Sequence, residues 1–170
     1  EIVASALEVH RQIIDSALRK HKYVHLVSVP GNHDPQSGYW LGLCLQQAYA
    51  DNKRLTIDNE PTAYRYHRWH KNLFGFCHGH TCKLTDLAEI MVADRPEDVG
   101  KTEFRYWFSG HTHHDQVKEN RIARVEVVRS PQKKDQWHSE SGYRSRRDMR
   151  SIVYHADDGE VERHTVAIKE

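Results

Sequence analysis

Two short runs, Gly31-Asn32-His33-Asp34 and Gly110-His111-Thr112-His113, constrain this chain more than any other feature, because each directly follows an apolar, strand-like segment. Tyr23 to Val29 reads as a buried strand, and Phe104 to Phe108 as another, so each turn sits at a strand's carboxyl end. In open α/β sheets the side chains beyond the strand tips converge on a common crevice. A third piece, Cys77-His78-Gly79-His80, ends the apolar run Leu73-Phe74-Gly75-Phe76 in the same manner. Imidazole and amide side chains on three such turns predict one metal site, with the glycines acting as hinges.

The rest of the chain supplies a frame for those turns. Val3, Ala6, Leu7, Ile13, Ile14, Ala17 and Leu18 recur at helical spacing, and Ser37 to Tyr49 predicts a helix with Trp40, Leu41, Cys44, Leu45 and Ala48 on one face. Leu55 to Ile57 and Thr62 to Trp69 predict short strands. Leu84 to Ala93 returns to a helical period, and Pro96 starts a further short turn or helix. Arg121 to Val128 reads as a strand, and Ser151 to His155 with Val161 to Ile168 flank Asp158-Gly159 as a terminal hairpin. Strands first separated by helices and later joined by hairpins predict an α/β chain with mixed sheets covered by helices.

The ordered set GNHD, an internal His-Gly and GHTH, each in the same strand-and-turn context, closely resembles the calcineurin-like metallophosphoesterase superfamily, which includes protein phosphatases, cyclic-nucleotide phosphodiesterases and DNA repair nucleases. The resemblance runs from the helix before GNHD to Val128. It implies a four-layer α/β/β/α sandwich and a site for two divalent metals. In that site Asn32, His78 and His111 match ligands of the second metal, and His113 a ligand of the first. His33 matches the catalytic histidine facing the phosphate and leaving group, and Asp34, next in sequence, is its natural orienting partner. The family's opening Asp-x-His and Gly-Asp-x-x-Asp motifs, which supply two ligands of the first metal and the bridging carboxylate, do not occur here. With Glu1 opening directly into an amphipathic helix, this predicts that residues 1–170 form a single domain, the carboxyl-terminal portion of a longer catalytic domain, with the sandwich incomplete at its amino-terminal end.

The donor chemistry agrees with the resemblance. An amide oxygen with imidazoles suits manganese first, and iron or zinc, better than calcium or magnesium. Two such ions generate a hydroxide nucleophile and clamp phosphoryl oxygens, while a histidine such as His33 protonates or stabilises the departing oxygen. The missing carboxylates predict that this chain alone holds at most one metal, weakly, and that unpaired sheet edges favour self-association. His114 and Asp115 extend the last turn and are expected to cap or orient rather than ligate. A zinc cluster of Cys77, His78, His80 and Cys82 would crowd four ligands into six consecutive residues, unlike the separated pairs of structural zinc sites. A Ser-His-Asp hydrolase lacks its Gly-x-Ser-x-Gly elbow.

Composition narrows the partners. With 38% hydrophobic and 29% charged residues and a net charge of +1, the chain has no bulk attraction to nucleic acid or membrane. Its three cysteines favour reduced thiols and a cytoplasmic setting, and no apolar run reaches membrane-span length. In Tyr64 to His70, aromatics interleaved with arginines either stack bases and hold phosphates or form a two-sided strand. Arg144, Arg146, Arg147 and Arg150, after Trp137, His138 and Tyr143, either line a phosphate-bearing groove or form a solvated loop. No substrate-binding residue is assigned. The leading expectation is hydrolysis of a phosphodiester, with DNA as a candidate substrate. A phosphomonoesterase or protein phosphatase with the same site, and a non-enzymatic binding module, are the alternatives.

Overall fold

Helical and strand-like periods alternate along the sequence, and the protein folds accordingly as an α/β chain. The computed structural model describes residues 2–33, 35–112, 114–131 and 146–168, and the chain divides into two units, Glu1–Arg65 and Tyr66–Glu170. The first contains α1 (Ile2–Lys20), β1 (Val24–Val27), α2 (Pro35–Ala48) and β2 (Leu55–Asp58). β1 and β2 pair in parallel from Val24 opposite Leu55 to Val27 opposite Asp58, so α2 is the crossover of a βαβ unit. Arg54 closes the end of α1 by donating to the carbonyls of Lys22 at 3.0 Å, His21 at 2.8 Å, and Leu18. One guanidinium thus satisfies acceptors that a helix end leaves without partners.

Pro35 opens α2, where its fixed φ suits the first turn. The predicted inward face of this helix is corrected by the structure: Gly42 and Leu45 are buried, whereas Trp40 is 64% exposed and Cys44 and Ala48 also face solvent. Gly42 accounts for the difference. A Cβ there would lie 2.1 Å from Asn59 Oδ1, and buried Asn59 donates to the Tyr39 carbonyl at 2.9 Å. The helix turns its smallest residue, not its largest, toward that amide.

Beyond β3 (Tyr64–Trp69), the second unit contains β4 (Asn72–Cys77), α3 (Leu87–Asp94), α4 (Pro96–Lys101), β5 (Phe104–Ser109), β6 (Gln116–Glu119), β7 (Arg124–Val127), β8 (Asp148–His155) and β9 (Gly159–Ala167). Its five-stranded sheet has the order β3-β4-β5-β7-β6, with β4, β5 and β7 parallel and β6 antiparallel to β7. Central parallel strands are buried on both faces, and β4 and β5 accordingly bury Leu73 and Trp107 completely. Gly75 stands opposite Trp107, and a Cβ there would meet the indole at 2.5 Å. α3 starts at Leu87, later than its apolar period implies, because Lys83 to Asp86 closes a turn. It packs Leu87, Ala88 and Met91 inward, in contact with β7.

The strand expected over Arg121 to Val128 begins only at Arg124, since the Asn120 side chain accepts from the Ile122 and Ala123 amides at 2.8 and 2.9 Å and makes a turn there. The sequence gives no sign of β6, whose four residues are all exposed and so carry no burial pattern. The terminal hairpin β8–β9 forms as expected around Asp158-Gly159, with Gly159 at φ 76° in its turn, and extends back to Asp148. Among the described residues no helix is long and apolar enough to cross a membrane.

Aromatic packing and ion pairs fasten this hairpin to the sheet. Tyr154 lies 4.7 Å from Phe74 and 4.8 Å from Tyr106, centroid to centroid. The Glu160 amide donates to Tyr106 Oη at 2.9 Å, and Asn72 Nδ2 donates to the His155 carbonyl at 2.9 Å. At the centre, Glu126 on β7 is 1% exposed and accepts two hydrogen bonds from Arg163, at 2.5 and 2.6 Å. Arg124 Nε stands 2.9 Å from Glu126 Oε1 but outside hydrogen-bonding geometry, so that contact is electrostatic. Removing one partner of a buried, hydrogen-bonded pair leaves the other uncompensated, so Glu126→Gln should lower the unfolding free energy by about 3 kcal/mol in urea denaturation. Arg163 also donates to Glu160 and holds its carboxyl below the ordinary value of 4.5. The folded state therefore binds this proton less tightly than the unfolded state, and the stability from the pair, fully present above pH 4.5, is lost as pH falls below it. Urea midpoints measured from pH 6 downward should fall less steeply for Glu160→Gln than for the natural sequence.

Candidate metal centre

The parallel register of β4 and β5, Asn72 opposite Phe104 through Phe76 opposite Phe108, sends the two strands out of the sheet side by side at His78-Gly79 and Gly110-His111. The His78 carbonyl clamps the two exits together, accepting from the Gly110 amide at 3.1 Å and from Ser109 Oγ at 3.5 Å. Gly79 adopts φ 94°, and a Cβ there would stand 2.2 Å from Ser109 Oγ, so both backbone and space demand glycine. The hinge in the second turn differs from expectation. Positive φ falls on His111, at 63°, not on Gly110, where a Cβ would meet only the His78 carbonyl oxygen at an ordinary 3.7 Å. Holding a non-glycine residue there costs about 1–2 kcal/mol and persists only where the surroundings fix it.

That backbone brings the rings of His78 and His111 together, with centroids 5.1 Å apart and His111 Nδ1 3.3 Å from His78 Nε2. Two nitrogens bonded to one ion at about 2.0–2.1 Å lie about 2.8–3.0 Å apart in octahedral and about 3.3–3.4 Å apart in tetrahedral arrangement. The observed contact is a hydrogen bond between the rings at a separation close to the tetrahedral range, and neutral imidazole suits manganese, iron or zinc. His80 stands alongside, its ring 5.2 Å from that of His78 and 6.1 Å from that of His111. Among the described residues no group of three or more His, Cys, Asp or Glu side chains is arranged to hold a metal. The paired imidazoles of His78 and His111 are thus two potential donors side by side.

In the first unit, Asn32 and His33 lie exposed in the loop between β1 and α2, at the carboxyl end of β1. Asp34 and His113 lie outside the described residues. Cys77 is 5% exposed, and burial pushes its thiol up to about 11, so it packs as a neutral core group. Ser109, 2% exposed, is the residue that sequence reasoning missed; its position beside GHTH was the available signal.

Described arginines of two basic segments pair with carboxylates. Tyr66 donates to Asp94 at 2.7 Å and lies under the Arg95 guanidinium, while Arg68 Nε is 3.0 Å from Asp98. Arg65, 3% exposed, is 3.3 Å from Asp58. β3 is thus the two-sided sheet strand of the two alternatives, its arginines engaged with carboxylates. In the other segment, Arg144 lies outside the described residues with Trp137, His138 and Tyr143, and Arg150 is engaged with carboxylates. Its side chain is 10% exposed and its Nη2 stands 2.7 Å from Asp115 Oδ1. That hydrogen bond first, with the charges of Arg150 and Arg129, holds the Asp115 carboxyl below its ordinary value.

A structural comparison finds similarity to a Vps29 single mutant from Entamoeba histolytica. Identity is 14%, the match covers 93% of this chain and 89% of that chain, and the TM-score is 0.45. No family model and no curated protein matches the sequence. At that score the likeness transfers no residue's role, and the site stands on its own geometry. Gly79→Ala tests that geometry: it combines a disfavoured φ with the contact on Ser109 and should destabilise the fold by about 2 kcal/mol or more in chemical denaturation, with loss of the His78–His111 ring proximity in NMR.

Proposed function

We propose that the protein is a metal-dependent phosphoesterase of the calcineurin-like type that hydrolyses a phosphodiester, with nucleic acid the first substrate class to test. The observation that supports this reading is the His78–His111 pair, two imidazole nitrogens 3.3 Å apart on strand tips clamped through the His78 carbonyl. In this reading Asn32, His78 and His111 hold one divalent metal and His113 contributes to a second, with manganese expected first and iron or zinc next. Bound ions would supply an activated water and neutralise charge on the phosphoryl oxygens. His33, exposed ahead of α2, donates a proton to the departing oxygen or stabilises its charge, and Asp34 orients it. Three free cysteines fit a reducing compartment, so a cytoplasmic location belongs to the same proposal.

A second reading is a binding module without turnover on the same fold. Metal analysis with assays on bis(p-nitrophenyl) phosphate, p-nitrophenyl phosphate and single-stranded DNA separates these readings and the monoesterase alternative. The expected pattern is faster diester than monoester turnover by the metal-loaded enzyme. Because Asn32, His78 and His111 carry no negative charge, the metal they hold should be bound weakly. His111→Ala should lose the metal, whereas His33→Ala should keep it and slow turnover by about 10²- to 10⁴-fold. Normal turnover in the His111 variant would sink the site, and metal loss in the His33 variant would reverse the role given to His33.

A further inference from the structure

The loop that carries His111 is tied down at both ends. At its start the Gly110 amide donates to the His78 carbonyl at 3.1 Å, and the Thr112 amide returns to the Gly110 carbonyl at 2.8 Å. At its end, immediately before β6, Asp115 places Oδ1 2.7 Å from Arg150 Nη2 and Oδ2 3.2 Å from Arg129 Nη2. Asp115 itself is one-third exposed, but its partners are not ordinary surface cations. Arg150 is 10% exposed on β8, and Arg129 donates to Asp148, which is 4% exposed, at 2.5 Å. The other carboxylates near Arg150 stand farther off, Asp148 at 3.5 Å and Glu126 at 3.6 Å. Asp115 is therefore the short contact of a nearly buried guanidinium. That guanidinium belongs to a hairpin anchored elsewhere, by Arg163 on Glu126 and by Tyr154 among the sheet aromatics. His111 adopts φ 63° between these two contacts, a conformation that costs a non-glycine residue energy.

We propose that Asp115 is a positioning residue, through which the β8–β9 hairpin fixes the His111 loop and sets the His78–His111 pair. The proposal deepens the metal-site reading and rests on it for its consequence, though the link between Asp115 and ring position is a property of the metal-free chain. Partners that orient metal ligands are worth about 10- to 100-fold in metal affinity when lost. The hairpin is the wall that aims a ligand loop rather than a peripheral ornament.

The test compares Asp115→Asn with Glu160→Gln, which cuts the same hairpin's Glu160–Arg163 pair without touching the Asp115 contact. Histidine ring signals of the metal-free chain are read by NMR, and manganese affinity by titration. Asp115→Asn should move or broaden the His78 and His111 ring signals and weaken manganese binding about tenfold, with Asp115→Glu partly restoring both. Glu160→Gln should lower stability yet leave both ring signals in place. Ring signals unchanged in Asp115→Asn, or moved equally by Glu160→Gln, would overturn the proposal. If Asp115→Asn fails to fold, Arg129→Gln, which keeps the Arg150 contact, is read the same way with a smaller displacement expected. A natural chain that binds no manganese would overturn the metal-site reading, while the ring signals would still decide the role of Asp115.

Discussion

A carboxylate buried in the middle of a sheet is costly unless cations come to it, and Glu126 on β7 is 1% exposed. Arg163 from β9 meets it with two hydrogen bonds, Arg124 from its own strand lies alongside, and Arg150 from β8 stands 3.6 Å away. Desolvation makes these partnerships obligatory rather than decorative. They decide where the terminal hairpin must lie, with the aromatic contacts of Tyr154 and the Asn72 hydrogen bond completing the dock. Because Arg150 also reaches Asp115, the same network extends to the loop after β5.

On the other side of that loop the constraint is steric and local. Gly79 turns away at φ 94° beneath Ser109, and the freed His78 carbonyl accepts from the neighbouring exit. Parallel strands in register bring their tips together as a matter of course. At the tip of β5 the positive φ falls on His111, whose ring pairs with that of His78.

Much of the fold was legible in the sequence. Apolar runs ahead of GNHD, HGH and GHTH predicted β1, β4 and β5, and Asp158-Gly159 marked the hairpin, because burial and turn geometry leave local signatures. Elements without such signatures were missed or misplaced. β6 is exposed along its whole length and has no period to read. The buried face of α2 was misjudged because hydrophobicity favoured Trp40, while the available space beside Asn59 favoured Gly42.

The motifs by themselves determined which chemistry the chain can offer: amide and imidazole donors on strand-end turns, a property of residue type and order. Only the tertiary structure decided which of these donors meet. It joins His78 to His111 through strand register and a shared carbonyl, gives the hinge to His111 instead of Gly110, and pairs Arg150 with Asp115. The reason is that ion pairing and strain are settled between segments far apart in the chain. Asp115 and Arg150 carry no local pattern that announces their partnership, and it exists only because a buried Glu126 brings the hairpin to the sheet.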